Sequence, residues 1–254
     1  MYRRSWSTFI KPLSNKSTTR YGWKSDVRTL VTTFEKNDFS LDSLRQALAR
    51  VSRKNYYGFI ESKNSYVSGL SRASVLIPIS VKQEKDAETG QVVRKPYFMF
   101  SKRSMELTQY KGQVCFVGGR RDETDVATAY REAAEEIGME PSCLTFLAEL
   151  CPVITTHGNM VTPIVVLLDT TRFQSRLNRR EVELIFELPT ERFLSKQNLR
   201  ITEHTLHSAN FYVHTFQNLV GEQQLEISKF TAFVSIYVSS LIHNRLPDFL
   251  IDPE

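Results

Sequence analysis

Apolar residues follow one rhythm before about residue 72 and another after it. Ahead of that point only "SLDSLRQALARVS" has helical spacing. Leu41, Leu44, Leu48 and Val51 fall on one face, with Ser40 or Asp42 placed to cap the first turn. Residues 53–71 are polar, contain Gly, Asn and Ser, and read as a linker. From Ala73 the apolar residues come in short, β-branched runs. "ASVLIPISV" and "YFMFSKRS", separated by a stretch that includes the polar "KQEKDAETGQ", predict a strand, a turn and a second strand. "GQVCFVGG" predicts a third strand that stops at Gly118 and Gly119. Over residues 125–138, Val126, Ala129, Ala133 and Ile137 recur at spacings of three and four, which predicts a helix, and Gly138 suits its C-terminal cap. "LTFLAELCPVITT", "VTPIVVLLD" and "HSANFYVHTFQN" read as strands, and "EVELIFELPTERFL" as a strand running into a helix begun at Pro189. The segment at about 228–245 is apolar nearly all round and predicts a buried helix. Strands interleaved with helices predict an α/β (α+β) domain, a mixed sheet with helices on both sides. The chain then divides into a basic segment 1–25, a helix and linker 26–71, the main domain 72–246 and a tail 247–254.

Composition changes this picture little: 254 residues, 41% hydrophobic and 24% charged, are ordinary for a globular protein. Charge changes it more. The net +5 comes from the first twenty residues, which hold Arg3, Arg4, Lys11, Lys16 and Arg20 and no acid; the remainder carries 28 basic and 28 acidic residues. The body is therefore not expected to bind nucleic acid. An acid-free, Arg- and Ser-rich stretch with Trp6, Phe9, Ile10 and Leu13 interspersed has the composition of a mitochondrial transit peptide. A mitochondrial location is the expectation, with peroxisomal and cytoplasmic ones as alternatives. Cys115, Cys143 and Cys151 form no pair with metal or disulfide-framework spacing and read as small buried residues. No apolar run reaches the roughly 20 residues of a membrane span.

The candidate chemistry lies in "FVGGRRDETDVATAYREAAEEIGM". Glu132, Glu135 and Glu136 stand at i, i+3 and i+4 in the C-terminal half of the predicted helix, where the helix dipole disfavours negative charge. Arg131 offsets part of it. Clustered carboxylate oxygens suit a hard cation, Mg²⁺ or Mn²⁺, which takes a few carboxylates together with substrate phosphate oxygens. Gly118 and Gly119 let the backbone approach such a ligand closely. Together these residues predict metal-assisted hydrolysis of a small phosphate compound.

These residues resemble the Nudix box, G-x5-E-x7-R-E-U-x-E-E-x-G-U with U apolar. "RSMELTQYKGQVCFVGG" is similar to the additional motif of the coenzyme A diphosphatase branch of that family, through Arg103, Ser104, Leu107, Gly112, Gln113, Phe116 and the two glycines. "NRREVELIFELP" resembles the same branch's Asn-x-x-Glu-Val segment. The resemblance implies a Nudix αβα sandwich. In it Arg131 orients the glutamates, Glu132, Glu135 and Glu136 serve the metal, and Glu132 activates the attacking water. Glu135 and Arg131 support catalysis, and Arg103, Ser104, Gly118 and Gly119 contact the substrate. Glu123, Asp125 and Glu181 are secondary candidates for metal or base. Implied substrates are coenzyme A and its thioesters, cut to phosphopantetheine and adenosine 3′,5′-bisphosphate; the resemblance also allows a homodimer. Another nucleoside diphosphate such as ADP-ribose or a dinucleotide, or a non-catalytic sensor role, are the alternatives. The chain departs from the branch at Val117, where proline is usual, and at Thr108, where arginine is usual. The box is also shorter: from Asp125 only five residues lead to Arg131, where seven or eight are usual. The loss is expected to fall in the loop or first helical turn, leaving the glutamates in place.

Overall fold

The computed structural model describes residues 39–49, 69–86, 89–155, 157–206 and 209–249. The basic segment 1–25, Val51 and most of the expected linker lie outside the described residues. Among the described residues eleven strands and three α-helices are formed: α1 (Leu41–Ala49), β1 (Ser71–Lys85), β2 (Val92–Arg103), β3 (Val114–Cys115), β4 (Gly118–Arg120), α2 (Asp125–Ile137), β5 (Leu144–Glu149), β6 (Val153–Ile154), β7 (Asn159–Leu168), β8 (Val182–Pro189), β9 (Leu199–Leu206), β10 (Ala209–Val220), β11 (Gln223–Ser228) and α3 (Lys229–Ile242).

The central sheet runs β3-β2-β1-β7-β5, with β4 on β1, β6 on β7 and β8 on β2. It is mixed: β1 is parallel to β7 and antiparallel to β2 and β4. Alternation along its strands sends side chains to two cores. Leu76, Met99, Ile164 and Val166 meet Ala129, Ala133 and Ile137 of α2 on one face. Ile77, Ile79, Phe98, Phe100 and Val165 meet Leu44 and Leu48 of α1 and Ala232, Val234, Ile236 and Val238 of α3 on the other. The result is the expected sandwich of a mixed sheet between helices. Helix α1 shares the main core, and Ser40 caps it through a bond from the Ser43 amide to its Oγ (3.3 Å).

Four expectations need correcting. Ser71, read as linker, begins β1. The glycine pair does not end a strand: Gly118 and Gly119 are part of β4, opposite Val75 and Ser74. After Pro189 the chain makes a 3-10 turn, Thr190–Leu194, rather than an α-helix. Strands β9 and β11, which flank β10 in a separate three-stranded antiparallel sheet, were not anticipated. Among the described residues no helix is long and apolar enough to cross a membrane.

Candidate active site

Helix α2 begins where the side chain of Thr124 accepts a hydrogen bond from the Ala127 amide (3.1 Å), and ends at Gly138, whose φ of 73° is the left-handed conformation glycine favours. Its start is pinned to the sheet by Asp125, buried and accepting from Ser74 Oγ at 2.7 Å. Asp125 is thus turned into the protein, with Arg121 3.5 Å from its other oxygen. Its C-terminal end is held by the segment before β8: the amides of Arg176 and Asn178 donate to the carbonyls of Ile137 and Glu136 at 2.9 and 2.8 Å.

The glycines of β4 lie against this helix. A Cβ on Gly119 would overlap the Glu132 carboxylate, and one on Gly118 would run into the Ser74 carbonyl and the Val75 backbone. So the absence of side chains at both positions brings β1, β4 and α2 together around Glu132. Glu136 is buried, at 3% exposure, and accepts a bond from the Gly118 amide. Burial above all, then the negative charges of Glu132 and Glu181, pushes the Glu136 carboxyl up to about 8, against the pull of the nearby Arg103 guanidinium. Glu181 reaches this group from the β8 side, held by a bond from Asn178 Nδ2 to its Oε1 (2.9 Å).

Glu132 and Glu181 therefore both bring negative charge to bear on Glu136 beside the glycine pair, and Glu135 does not. Glu135 is more than half exposed and accepts from Arg131 Nη1 at 2.7 Å. Arg131 Nη2 also contacts Glu132 (2.7 Å) and Asp122 (3.0 Å). Asp122, which sequence reasoning missed, takes a bond from Thr128 Oγ1 (2.9 Å), and that bond first, then Arg131, holds its carboxyl below the usual range. Glu123 is exposed on the same loop. The expected convergence of all three helix glutamates is thus reduced to two. Arg131 draws Glu135 outward, while Glu136 turns to the Gly118 amide.

Arg103 closes the far side. Its side chain bonds the thiol of the half-buried Cys115 and faces Glu136, while its Nε is buried without a partner among the described residues. Burial pushes the Cys115 thiol up. Ser104 is buried; its amide donates to the Glu181 carbonyl (2.8 Å) and its Oγ accepts from the Glu106 amide (3.2 Å), so it shapes the loop after β2. At the tip of that loop Tyr110, at φ 55°, meets His157 edge-on with ring centres 5.5 Å apart.

Among the described residues no three His, Cys, Asp or Glu side chains stand already grouped as metal ligands. The donor chemistry nonetheless fits a hard cation. Glu132 and Glu136 present carboxylate oxygens one turn apart, Glu181 adds a third close enough to raise Glu136, and Mg²⁺ needs only one or two carboxylates beside water and substrate oxygens.

Comparison with known proteins places the chain in a family. The NUDIX domain family matches residues 89–223, from the β1–β2 turn to the start of β11. The chain is 32% identical over 198 residues to the peroxisomal coenzyme A diphosphatase NUDT7 of Mus musculus, covering 76% of this chain and 79% of that protein. It is 33% identical over 156 residues to the mitochondrial Nudix hydrolase 15 of Arabidopsis thaliana, covering 60% of this chain and 55% of that one. Nudix hydrolase 3 of Caenorhabditis elegans is 31% identical over 228 residues, covering 80% and 88%. With glycines seating a helix carboxylate inside an αβα sandwich, and a family match across more than half of its length, the chain belongs to the Nudix hydrolases, pyrophosphohydrolases that generally work with divalent metal ions.

Proposed function

We propose that the chain hydrolyses the pyrophosphate of coenzyme A or an acyl derivative, releasing the phosphopantetheine half and adenosine 3′,5′-bisphosphate. The observation that carries the reading is the Glu132 carboxylate seated on Gly119 with Glu136 buried behind it. The coenzyme A assignment is supported by the loop motif from Arg103 to Gly119 and by the likeness to a coenzyme A diphosphatase.

Glu132 and Glu136, with Glu181 near them, would hold Mg²⁺ or Mn²⁺, which when bound would neutralise charge on the pyrophosphate oxygens. Arg131 fixes the position of Glu132 through the bond between them and holds Glu135 out of the way. Glu132 accepts a proton from the attacking water as its oxygen bonds to phosphorus and the anhydride P–O bond breaks. Asn178 fixes Glu181, and Gly118 and Gly119 keep the backbone low enough for the diphosphate to approach. Site of action follows the basic segment 1–25, whose composition favours mitochondria; the relatives' names include both a peroxisomal and a mitochondrial protein.

The test is to incubate purified protein with coenzyme A, acetyl-coenzyme A and ADP-ribose, with Mg²⁺ and with chelator, and to identify products by mass. Phosphopantetheine and adenosine 3′,5′-bisphosphate formed only with metal are the expected result. AMP from ADP-ribose with coenzyme A untouched overturns the assignment.

A further inference from the structure

Three acids lie in the short link that leads into α2, and they are used differently. Asp125 points into the protein, onto Ser74 Oγ at 2.7 Å and Arg121 at 3.5 Å. Glu123 is exposed on the loop. Asp122 is the one that meets Arg131, with Nη2 3.0 Å from its Oδ2. The carboxylate of Asp122 is itself fixed. Its Oδ1 accepts from Thr128 Oγ1 and from the Glu123 amide, both at 2.9 Å, and Thr128 is buried in α2. One oxygen therefore ties the loop to the helix, and the other is left to the guanidinium. Arg131 lies between two pulls. Glu135, its i+4 neighbour on the same side of the helix, takes Nη1 at 2.7 Å. Glu132 is the adjacent residue and stands about 100° further round the axis, yet Nη2 reaches its Oε1 at 2.7 Å. The same Nη2 meets Asp122, the one partner of Arg131 that comes from outside the helix.

We propose that Asp122, held by Thr128, is a positioning residue for Glu132 and acts through Arg131. This rests on the hydrolase reading of the site and not on the choice of coenzyme A as substrate. Glu132 has a limit on each side. Gly119 is where its carboxylate rests, and a Cβ there would already overlap it; Arg131 restrains it from the other side. Asp122 keeps the guanidinium on the Glu132 side. Without that charge the i+4 pair with Glu135 draws Arg131 along the outer face of the helix, and Glu132 loses its second limit. Partners that orient a metal-binding carboxylate in this way are worth about ten- to a hundredfold in metal affinity or rate.

The experiment is a double-mutant cycle of Asp122→Asn, Arg131→Gln and the pair. It is read in kcat and KM for coenzyme A and ADP-ribose with Mg²⁺, in Mn²⁺ affinity by calorimetry, and in the thermal unfolding midpoint. Asparagine keeps an oxygen for Thr128 and the Glu123 amide and loses only the charge. Asp122→Asn is expected to lower both kcat and Mn²⁺ affinity by about tenfold, with KM changed by less than about twofold. The unfolding midpoint should stay near that of the wild type, since the Asp122–Arg131 pair is exposed. In the Arg131→Gln background the same substitution should cost nothing further. Equal losses in both backgrounds, or wild-type kcat and Mn²⁺ affinity in Asp122→Asn, overturn the proposal. Turnover of ADP-ribose alone overturns the coenzyme A reading, and the cycle on ADP-ribose then decides the role of Asp122 by the same criterion. Turnover of neither substrate overturns the hydrolase reading, and the cycle in Mn²⁺ affinity decides it instead.

Discussion

Replacing Glu136 with Gln separates the stabilising from the catalytic consequences of burying a carboxylate. The amide keeps the shape of the side chain and an oxygen for the Gly118 amide, and removes only the charge. In the folded protein the Glu136 carboxyl is pushed up to about 8, chiefly by burial, whereas an exposed glutamate titrates at about 4.3. Between those two pH values the native state keeps a proton that the unfolded chain has released. The folded state binds more protons there, so stability falls as pH rises through the window. Below pH 4 both states are protonated and Glu136 carries no penalty. At about 1.4 kcal/mol per tenfold change in proton affinity, the penalty is about 4 kcal/mol at pH 7 and approaches about 5 kcal/mol above pH 8. Denaturant unfolding with chelator present, followed from pH 4 to 9, should show Glu136→Gln matching the wild type at pH 4 and exceeding it by about 4 kcal/mol at pH 7. Mg²⁺ at a hundredfold excess over its Kd should stabilise the wild type by about 2.7 kcal/mol and the variant much less, and turnover by the variant should fall at least about a hundredfold. Unfolding curves that stay parallel across the whole pH range would show that Glu136 is not a suppressed charge. Equal Mg²⁺ stabilisation of both proteins would remove it from the metal site.

Gly119→Ala tests the seat of Glu132: the new methyl displaces the end of a flexible side chain, so the unfolding midpoint should move little while kcat/KM falls by about a hundredfold, and a variant of wild-type rate would mean that the position of Glu132 is immaterial. His243 tests the opposite side of the molecule, where burial first and Arg245 second push its imidazole down to about 4, and where it meets Thr190 Oγ1 at 2.7 Å. The unfolded chain takes up a proton below about pH 6.5 that the native state refuses, so about 3 kcal/mol of stability should be lost as pH falls from 6.5 to 4; His243→Gln should flatten that slope in pH-dependent unfolding, and an unchanged slope would place the acid sensitivity elsewhere.

Much of this was legible along the chain because local and tertiary signals agree. Val126, Ala129, Ala133 and Ile137 announce α2, and all four pack under the sheet. The glycine pair announced a close approach but not what approaches. Gly118 is squeezed by β1 and Gly119 by Glu132, and only the fold reveals that the pair is a strand rather than a strand's end. Helical spacing groups Glu132 with both Glu135 and Glu136; what divides them is Arg131 on one side and the Gly118 amide with Arg103 on the other, contacts that span tens of residues of sequence or depend on rotamers. Strands β9 and β11 escaped because polar and charged residues such as Arg200, Glu203, Gln224 and Glu226 leave a weak apolar rhythm, and their burial comes through partners far along the chain: Ile227 joins the core that α3 completes.

The shortened box shows which contacts set the register of the site. Removing three residues from an α-helix would turn everything beyond by roughly 60° relative to a whole turn, enough to swing Glu132 off Gly119 if the helix were positioned from its beginning. It is not positioned from there alone. Residues 121–124 form a non-helical link that absorbs length, closed by the Thr124 cap and the Asp125 bond to Ser74. The catalytic half is fixed instead by the buried flank of Ala129, Ala133 and Ile137 and by the amides of Arg176 and Asn178, which grip the carbonyls of Ile137 and Glu136. Asn178 in turn positions Glu181. One segment therefore anchors the end of the helix and delivers the third carboxylate, so the spacing among Glu132, Glu136 and Glu181 is independent of how many residues lead into the helix.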